Sequence, residues 1–491
     1  MLLYLSNMYH ESLHPHEFHT TQPEECDLLL INVPATYEQG IIPDDEEPPF
    51  GLMRVATYAE SQGHKVAIMD AHGHRLQPTE VDEILYDLKP RTVGLNPTSV
   101  NVPETQEIAE ICARRGIPLI IGGVHATLDP LTALTKDFPM AYAAVRGRGE
   151  AVTPLLLNGI NGGKRIEADG LYYQGFQPTD RTDFAPHIPL EKLPPIDQRR
   201  WVNDPITSKH IVVRGEQVDL REMALYETAG CPFECTFCAT PVLSNRGNGV
   251  KSYHRPPMER IIASLQLSIS AGANGVHFID DMAFATPEHF REFAKGVHSV
   301  TTEPFYWRGM TRAPIIADHC TDEDIATMAN SGCWRITMGV ESGSDSMLKQ
   351  IRKKITKDQV RRAIVKLRSA GISEVKAFFI MGFPGETADQ LHETQQFIHE
   401  LKQYGLTDIS LFQFKPYPGT FEWKVLEQTQ PHVLDQLSYV GSRVASDADK
   451  TTTNKKISEV VWLPDDLQIA AVPSGEVKSM VIQTLRDFYQ E

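Results

Sequence analysis

The stretch ETAGCPFECTFCAT, residues 227–240, places Cys231, Cys235 and Cys238 within eight positions of one segment. This Cys-x3-Cys-x2-Cys spacing lets three thiolates converge from one loop. A structural zinc site requires a fourth ligand, and no further cysteine or histidine pair follows at the spacing of a zinc finger. A thioredoxin-like Cys-x2-Cys pair leaves the third thiol unexplained. The spacing therefore favours an iron-sulfur cluster, whose fourth iron can bind a substrate or cofactor instead of protein.

Apolar runs that alternate with helical patterns follow the cysteines. The runs are GVHFID (275–280), FYWRGM (305–310), WRITMGVE (334–341), VKAFFIMGF (375–383) and ISLFQF (409–414). Helical spacing lies between them, as in MERIIASLQLSIS and ADQLHETQQFIHELKQYG. This order predicts a parallel, barrel-like α/β unit, with the cysteine loop at the end of its first strand.

A second α/β pattern precedes the cysteines. Short apolar runs predict buried parallel strands: DLLLINVP (27–34), KVAIMD (65–70), TVGLNP (92–97) and IPLIIGG (117–123). Amphipathic helical segments lie between the runs, for example at residues 50–63 and 103–116. The alternation predicts a doubly wound, Rossmann-like sheet, in which ligands bind where the strands end.

Length and composition indicate a soluble chain of about three domains at roughly 150 residues each. We predict an N-terminal arm (1–24), a doubly wound domain (25–164), a proline-rich linker (165–215), a barrel (216–425) and a C-terminal region (426–491) that ends in an amphipathic helix. Four histidines in the arm, His10, His14, His16 and His19, are compatible with metal binding, but a loosely docked arm explains them better.

Charge and cysteine content restrict the partners and the compartment. A formal net charge of -17 disfavours nucleic acid. We interpret the basic run at 351–368 as a solvated helix face. Seven cysteines, three of them in one stretch, do not resemble a disulfide framework and indicate a reducing cytoplasm. The sequence shows neither a signal peptide nor a membrane span.

Cys231, Cys235, Phe237 and Cys238 resemble the cluster motif of the radical S-adenosylmethionine (SAM) superfamily. The resemblance implies a partial (β/α)6 TIM-type barrel, a 4Fe-4S cluster held by the three cysteines, and SAM bound to the open iron. Reductive cleavage of SAM in that family gives methionine and a 5'-deoxyadenosyl radical. An electron donor such as flavodoxin or ferredoxin is then the implied partner.

Further segments resemble the SAM-binding motifs of the same family. The implied SAM contacts are Phe237, Asp280, Asp281, Glu341, Ser342, Gly382, Pro384 and Gly385. Asp280 and Asp281 stand where the family usually has a Gly-Gly-Glu motif for the methionyl amine, and this departure leaves open which aspartate acts. A helix cap or a surface ion pair is the alternative for each acidic residue. Residues 414–420, FKPYPGT, resemble a stretch of the cobalamin-linked branch.

The N-terminal domain resembles the cobalamin-binding domain fused to these enzymes, so the resemblance spans residues 27–425. The implied cobalamin contacts are Asp70, His72, Thr98, Ser99, Gly122, Gly123, His125, Gly147 and Glu150. His72 is not predicted to bind cobalt, because Arg75 replaces the glycine of the Asp-x-His-x-x-Gly loop and the segment follows the second strand instead of the first. His125 either touches the corrin or caps a turn.

The resemblance implies a cobalamin-dependent radical methyltransferase that methylates an unactivated carbon of a small molecule. Natural-product, lipid, tetrapyrrole and peptide substrates stay open. A non-methylating enzyme for cyclisation, ring contraction or rearrangement is the alternative, and a cobalamin sensor or carrier with a vestigial barrel is the alternative of another class. The acidic charge and the absence of an N-terminal cysteine set disfavour a tRNA methylthiotransferase.

Overall fold

The computed structural model describes most of the chain. It describes residues 26–34, 48–74, 76–99, 101–175, 184–201, 204–244, 253–437, 442–443, 456–457 and 460–489. The four histidines of the N-terminal arm and most of the polar segment 442–456 lie outside the described residues. The described chain forms two compact units that divide between Pro205 and Ile206.

The first unit is built on a six-stranded sheet. Its strands are β1 (Leu28–Asn32), β2 (Val66–Asp70), β3 (Val93–Leu95), β4 (Leu119–Ile121), β5 (Ala143–Val145) and β6 (Leu171–Tyr172). The order is β2-β1-β3-β4-β5-β6, parallel except for β6. The strand order reverses between the parallel neighbours β1 and β3, because β2 is added on one side of β1 and β3 on the other. Doubly wound folds bind ligands at this position.

Helices connect the strands of the first unit. They are α1 (Phe50–Ser61), α2 (Pro78–Leu88), α3 (Val102–Arg114), α4 (Gly123–Leu128), α5 (Pro130–Thr132), which a wider turn extends over Ala133–Asp137, and α6 (Thr153–Asn161). Gln77 and Glu80 form a capping box at the start of α2, with Pro78 in the first turn. The predicted doubly wound domain is confirmed.

The second unit contains a seven-stranded sheet. Its strands are β7 (Ile206–Val213), β8 (Glu216–Leu225), β11 (Gly275–Phe278), β12 (Tyr306–Thr311), β13 (Cys333–Glu341), β14 (Glu374–Met381) and β15 (Asp408–Gln413). The order is β15-β14-β13-β12-β11-β8-β7, and only the edge strand β7 is antiparallel. Two short pairs lie outside this sheet, β9 (Ala229–Gly230) with β10 (Tyr253–His254), and β16 (Ser442–Arg443) with β17 (Val461–Trp462). The six parallel strands confirm the partial barrel.

Helices cover one face of the curled sheet. They are α7 (Thr240–Leu243), α8 (Met258–Ser270), α9 (Pro287–Val300), α10 (Asp322–Asn330), α11 (Asp345–Gln350), α12 (Lys357–Ser369), α13 (Ala388–Gln403), α14 (Phe421–Thr429), α15 (Pro431–Gln436) and α16 (Ser474–Tyr489). Alternate residues of β14, such as Phe379 and Met381, are buried in the core that these helices share. Helix α16, the predicted closing helix, adds Val481 and Leu485 to that core.

The opposite face of the sheet carries charge at the beginnings of its strands. Glu222 accepts hydrogen bonds from the Arg308 guanidinium at 2.7–3.0 Å and from Lys209 Nζ at 2.6 Å. Burial opposes ionisation of Glu222, but the neighbouring Arg308 holds its pKa below the usual value. Arg335 extends the network to Asp408 at 3.3 Å. Nearly every charge here is paired, as burial requires.

The segment 165–215 is not the featureless linker that its proline content predicts. Residues 171–172 form β6 in the first sheet, and residues 206–213 form β7 in the second. A two-residue turn, Arg214–Gly215, joins β7 to β8, and both residues have positive φ. This geometry is the one that two-residue hairpin turns need.

Candidate functional site

The cysteine loop follows β9, just after the first parallel strand of the barrel. Cys231, Cys235 and Cys238 are half-buried free thiols. Burial raises the pKa of Cys231, and it raises the pKa of Cys238 to about 11, although hydrogen bonding to Thr240 opposes this. Metal binding at these thiols must therefore displace protons.

Two buried contacts fix the middle of the cysteine loop. Thr236 N–H donates to the Ile351 carbonyl at 3.1 Å, and the Thr236 hydroxyl donates to Glu422 Oε1 at 2.5 Å. Burial raises the pKa of Glu422, while the Thr236 hydrogen bond opposes the rise. Because Thr236 lies between the second and third cysteines, the segments around residues 351 and 422 determine where those thiols point.

The two adjacent aspartates have different environments. Asp280 is fully buried, and its Oδ1 accepts the backbone N–H of Glu227, at 2.8 Å, and of Thr228. These bonds hold the chain that leads into the cysteine loop. Asp281 is exposed, and its charge contributes to the raised pKa of Cys231 and of Cys238. The geometry therefore assigns a structural contact to Asp280 and leaves Asp281 open toward the thiols.

A buried ion pair lies at the end of β13. Lys353 Nζ donates to Glu341 Oε1 at 2.7 Å, and both side chains are buried. Glu341 has φ 74°, a left-handed conformation that is strained for glutamate, and the β13–β14 register shifts at this residue. Strain of this kind concentrates at functional sites. The basic run 351–368 is thus a solvated face only in part, because Lys353 points inward.

Arg312 joins this ion pair to the cysteine loop. Its guanidinium lies 3.7 Å from the centre of the Phe233 ring and donates to the Lys353 carbonyl. Burial lowers the pKa of Arg312, while the charges of Cys235, Cys231 and Glu341 oppose that effect. A cation at this position stabilises thiolates, which an iron-sulfur cluster requires. Neither Arg312 nor Lys353 was predicted from the sequence.

Three cysteines on one loop are the ligand set that an iron-sulfur cluster uses. Within the described ranges, no three Cys, His, Asp or Glu side chains are placed to hold one metal ion. In a cluster each cysteine binds a different iron, so the sulfur atoms stand farther apart than around one ion. Three free thiols on one loop, with a buried cation beside them, fit that arrangement.

The aromatic residue of the motif packs into the barrel. The Phe237 ring lies 5.4 Å from the Phe383 ring, edge to face. Ser342 is fully buried, and its hydroxyl lies 3.2 Å from Thr394 Oγ1 and accepts Ser344 N–H at 3.1 Å. In this structure Ser342 shapes the turn after β13.

The turn after β14, whose residues 382–386 the sequence predicts beside the adenine, contains an ionisable group. Gly382 and Gly385 have φ of 95° and 75°, as a tight turn around Pro384 requires. Glu386 is fully buried, and its Oε2 accepts Gly382 N–H at 2.6 Å and Phe383 N–H at 3.0 Å. Burial raises the pKa of Glu386 to about 7, against the effect of these two bonds.

The glycine pair of the first unit lies at the end of β4. Gly122 precedes α4 and has no atom within 4 Å of the position that a Cβ would occupy. Gly123 has φ +75°, and a Cβ there would lie 3.2 Å from Asn96. Open space in front of a backbone at a strand end is what a closely bound cofactor such as cobalamin needs.

Other predicted cobalamin contacts line the same sheet edge. Asp70 Oδ1 accepts Asn32 Nδ2–H at 2.8 Å and Gly73 N–H at 3.0 Å. Half-buried His72 follows it, and its backbone N–H donates to the Asn32 carbonyl at 3.1 Å. These contacts order the loop after β2, and the predicted absence of a cobalt bond from His72 remains a prediction.

The loops after β3 and β5 supply the remaining predicted contacts. Thr98 donates from its backbone N–H to Asn101 Oδ1 at 2.7 Å, and half-buried Ser99 is next to it. Gly147 N–H donates to Thr127 Oγ1 at 3.0 Å, and Glu150 is buried in the following turn. Thr98, Ser99, Gly147 and Glu150 therefore follow strand ends on the same edge as Gly122.

Of the two roles predicted for His125, the structure is compatible with contact to a turn. Its imidazole is 3% exposed, with Nε2 2.7 Å from Asp137 Oδ2 and the ring edge-to-face with Phe138. The side chain is thereby committed to the interior of the unit, where it ties α4 to the turn that contains Asp137. Contact with a corrin is not supported by this position.

Comparison with known proteins assigns a domain type to each unit. The description "Radical SAM superfamily" matches residues 226–398, which include the cysteine loop. The description "B12 binding domain" matches residues 43–157, which include the glycine pair. The chain therefore combines a B12-binding domain with a radical SAM domain. The predicted cofactors, a 4Fe-4S cluster, SAM and cobalamin, are confirmed by the two matches and the fold.

Relatives of this radical SAM protein include enzymes of two kinds. It is 25% identical over 406 residues to the "Uncharacterized methyltransferase PH0819" of Pyrococcus horikoshii, covering 81% of this chain and 82% of that protein. It is 26% identical over 359 residues to the anaerobic magnesium-protoporphyrin IX monomethyl ester cyclase of Rubrivivax gelatinosus, covering 71% and 61%.

A solved structure shares the fold of this radical SAM protein. The radical SAM methyltransferase TsrM of Kitasatospora setae, determined with cobalamin and a [4Fe-4S] cluster, matches with a TM-score of 0.63. The match covers 94% of this chain and 89% of that one at 15% identity, so it shows the fold alone. No helix among the described residues is long and apolar enough to span a membrane.

Proposed function

We propose that this radical SAM protein is a methyltransferase that places a methyl group on an unactivated carbon. The observation that carries the proposal is the pairing of two sites in one chain. One is the loop with three half-buried thiols, and the other is the open backbone at Gly122 in the B12-binding unit. Methyltransferases among the relatives and the shared fold support this assignment.

The residues that would hold the cofactors follow from the site. Cys231, Cys235 and Cys238 would bind three irons, and exposed Asp281 would receive the methionyl amine of SAM. Glu341, oriented by Lys353, would contribute a further polar contact. Phe237 and the turn that contains Gly382, Pro384 and Gly385 would flank the adenine. In the first unit, Gly122, Gly123, Gly147, Asp70, His72, Thr98, Ser99 and Glu150 would line the cobalamin.

The cofactors supply the reactive groups when bound: cluster and SAM give a 5'-deoxyadenosyl radical that removes a hydrogen atom, and cobalamin gives the methyl group. The chain's own residues would position these cofactors and shield them from water. Thr236, anchored on Glu422, holds the cysteine loop, and Arg312 keeps positive charge beside the thiols. Phe237, packed on buried Phe383, would keep water from that side of the cysteine loop.

Product analysis tests the proposal. Anaerobic protein, reconstituted with iron, sulfide and cobalamin, is incubated with methyl-labelled SAM and a panel of natural-product, lipid, tetrapyrrole and peptide substrates. We expect S-adenosylhomocysteine, 5'-deoxyadenosine and a labelled product. Cys231→Ala, Cys235→Ala or Cys238→Ala should abolish 5'-deoxyadenosine and leave cobalamin binding intact. Persistent 5'-deoxyadenosine in these variants would refute the assignment of the cluster.

A non-methylating reaction is the second candidate, and similarity to the anaerobic cyclase favours it. It predicts 5'-deoxyadenosine and a cyclised or rearranged product without S-adenosylhomocysteine, so the same assay separates the two. A cobalamin sensor or carrier predicts cobalamin binding with no visible cluster absorbance after reconstitution. The intact cysteine loop argues against that third option. A small-molecule substrate and a cytoplasmic location remain part of the proposal.

A further inference from the structure

A basic groove lies on the second unit between α11 and α12. It is a concavity of about 790 Å³. Its cationic side chains are Lys349, Arg352, Lys354, Lys357 and Arg361. We propose that this basic groove docks an acidic one-electron donor protein beside the cysteine loop. The proposal rests on the proposed radical activity, because that chemistry needs an electron from outside the chain.

The charge of the groove is opposite to that of the whole protein. The lining contains five cationic side chains and two carboxylates, Asp345 and Asp358, so its formal net charge is +3. The chain as a whole has a formal net charge of -17. A protein with a negative surface is therefore repelled by most of this molecule and attracted at the groove. Such a field raises the rate of encounter and orients the partner.

Several groove cations are available to a partner. Lys349, Arg352 and Lys354 are exposed, and neither lysine forms an ion pair with another described residue. Lys357 lies 4.0 Å from Asp345, a weak contact at the surface. Arg361 is already paired with Glu400 at 2.5 Å. We therefore assign most of the attraction to the two exposed lysines and Arg352.

The local backbone explains why charge collects on the outside of this loop. Arg352 and Lys354 both have positive φ, of 52° and 53°. These left-handed residues place their own side chains outward and turn Lys353 inward to Glu341. The conformation is costly for lysine and arginine, and the buried Lys353–Glu341 ion pair accounts for its persistence.

The groove is connected to the cysteine loop by direct contacts. The Ile351 carbonyl accepts Thr236 N–H at 3.1 Å, next to Cys235. Arg352 lies 4.7 Å from the centre of the Phe421 ring, adjacent to the Glu422 that binds Thr236. The segment 351–352 therefore contacts the cysteine loop on one side and contributes Arg352 to the groove on the other, so a donor in the groove is seated beside that loop.

The electron balance is simple. For each cleavage the donor protein is oxidised by one electron and the cluster is reduced by one, and no atom or proton is exchanged at the groove. That electron is consumed when the bond between sulfur and the 5'-carbon of SAM breaks, which leaves methionine and the 5'-deoxyadenosyl radical. A chemical reductant small enough to reach the site from solvent can replace the donor without using the groove.

This difference provides the experiment. The double variant Lys349→Glu/Lys354→Glu is compared with wild type and with Lys164→Glu/Lys295→Glu, which makes the same charge change at exposed lysines elsewhere. Binding of an acidic flavodoxin is measured by calorimetry at low and high salt. Formation of 5'-deoxyadenosine is measured with reduced flavodoxin and, separately, with dithionite.

We expect the groove variant to bind flavodoxin about tenfold more weakly at low salt, with the difference shrinking near 0.5 M salt. The yield of 5'-deoxyadenosine with reduced flavodoxin should fall in parallel, while the yield with dithionite should match wild type. The charge-conserving variant Lys349→Arg/Lys354→Arg should bind flavodoxin as wild type does. Unchanged binding, or an equal loss in the control pair, overturns the docking proposal. Absence of 5'-deoxyadenosine from wild type with dithionite overturns the proposed function instead, while the binding result still decides the docking.

Discussion

Buried Glu386 should make the stability of the second unit fall as pH rises from about 4.5 to about 7. Its pKa is raised from 4.5 to about 7, mainly by burial. Between these values the unfolded chain has lost the proton and the folded chain keeps it. Stability is therefore highest below pH 4.5 and decreases until the folded carboxyl ionises. A shift of this size corresponds to about 3 kcal/mol, at about 1.4 kcal/mol per unit.

Glu386→Gln isolates this effect. The glutamine oxygen can still accept the N–H groups of Gly382 and Phe383, and the side chain does not ionise. Urea unfolding of the cofactor-free protein at pH 5 and pH 8 should show wild type losing roughly 2–3 kcal/mol more than the variant across that interval. Equal pH dependence in the two proteins would refute the assignment of a neutral, buried carboxyl.

Two half-buried histidines act at lower pH with the opposite sign. Burial lowers the pKa of His289 to about 4 and that of His277 well below 6.5. Both stay neutral in the folded protein while the unfolded chain binds protons below pH 6.5, so their contribution rises with pH up to that value. Because wild type and the Glu386→Gln variant share these histidines, the difference between the two proteins removes their effect.

Further variants test the buried ion pair, the glycine pair and Asp281. Lys353→Met leaves the Glu341 carboxylate buried without its partner, so urea unfolding should show a loss of about 3–5 kcal/mol, and Lys353→Met/Glu341→Met should recover much of it. Gly122→Ala should fold normally, because the added Cβ meets no atom of the protein. It should bind cobalamin at least tenfold more weakly in a spectral titration. Gly123→Ala should instead lower the free energy of unfolding by about 1–3 kcal/mol, because Gly123 has a positive φ. Asp281→Asn should leave stability unchanged and weaken SAM binding measured by calorimetry, and normal SAM affinity would contradict its assignment.

Most strands could be predicted because a buried parallel strand is apolar along its whole length. VKAFFIMGF differs from β14 by only one or two residues at each end. β6 could not be predicted in this way, because two residues are too few to show any period. β7 buries only Ile211 fully and so shows no clear apolar period, but the Arg214–Gly215 turn between two β-rich runs was a usable hairpin signal.

Lys353 shows a different limit of sequence reasoning. Lysine in a basic run next to a helix is nearly always exposed, and this one is 6% exposed. Its position depends on Glu341, twelve residues earlier in the chain, and on the left-handed conformations of its two neighbours. Residue type and periodicity contain none of this information. The same holds for His125, whose partner Asp137 is brought close by the path of α4 and α5.

The two adjacent aspartates, Asp280 and Asp281, have different surroundings in the fold. The sequence left Asp280 and Asp281 equivalent, since both carry the charge that a methionyl amine requires. Neighbouring residues that follow a strand point in different directions, so only one carboxylate can face the loop that enters the cysteine motif. Asp280 takes that place and is occupied by two backbone N–H groups. Asp280 thus contributes to the position of the cysteine loop through its Oδ1, and exposed Asp281 stays the proposed contact for the methionyl amine.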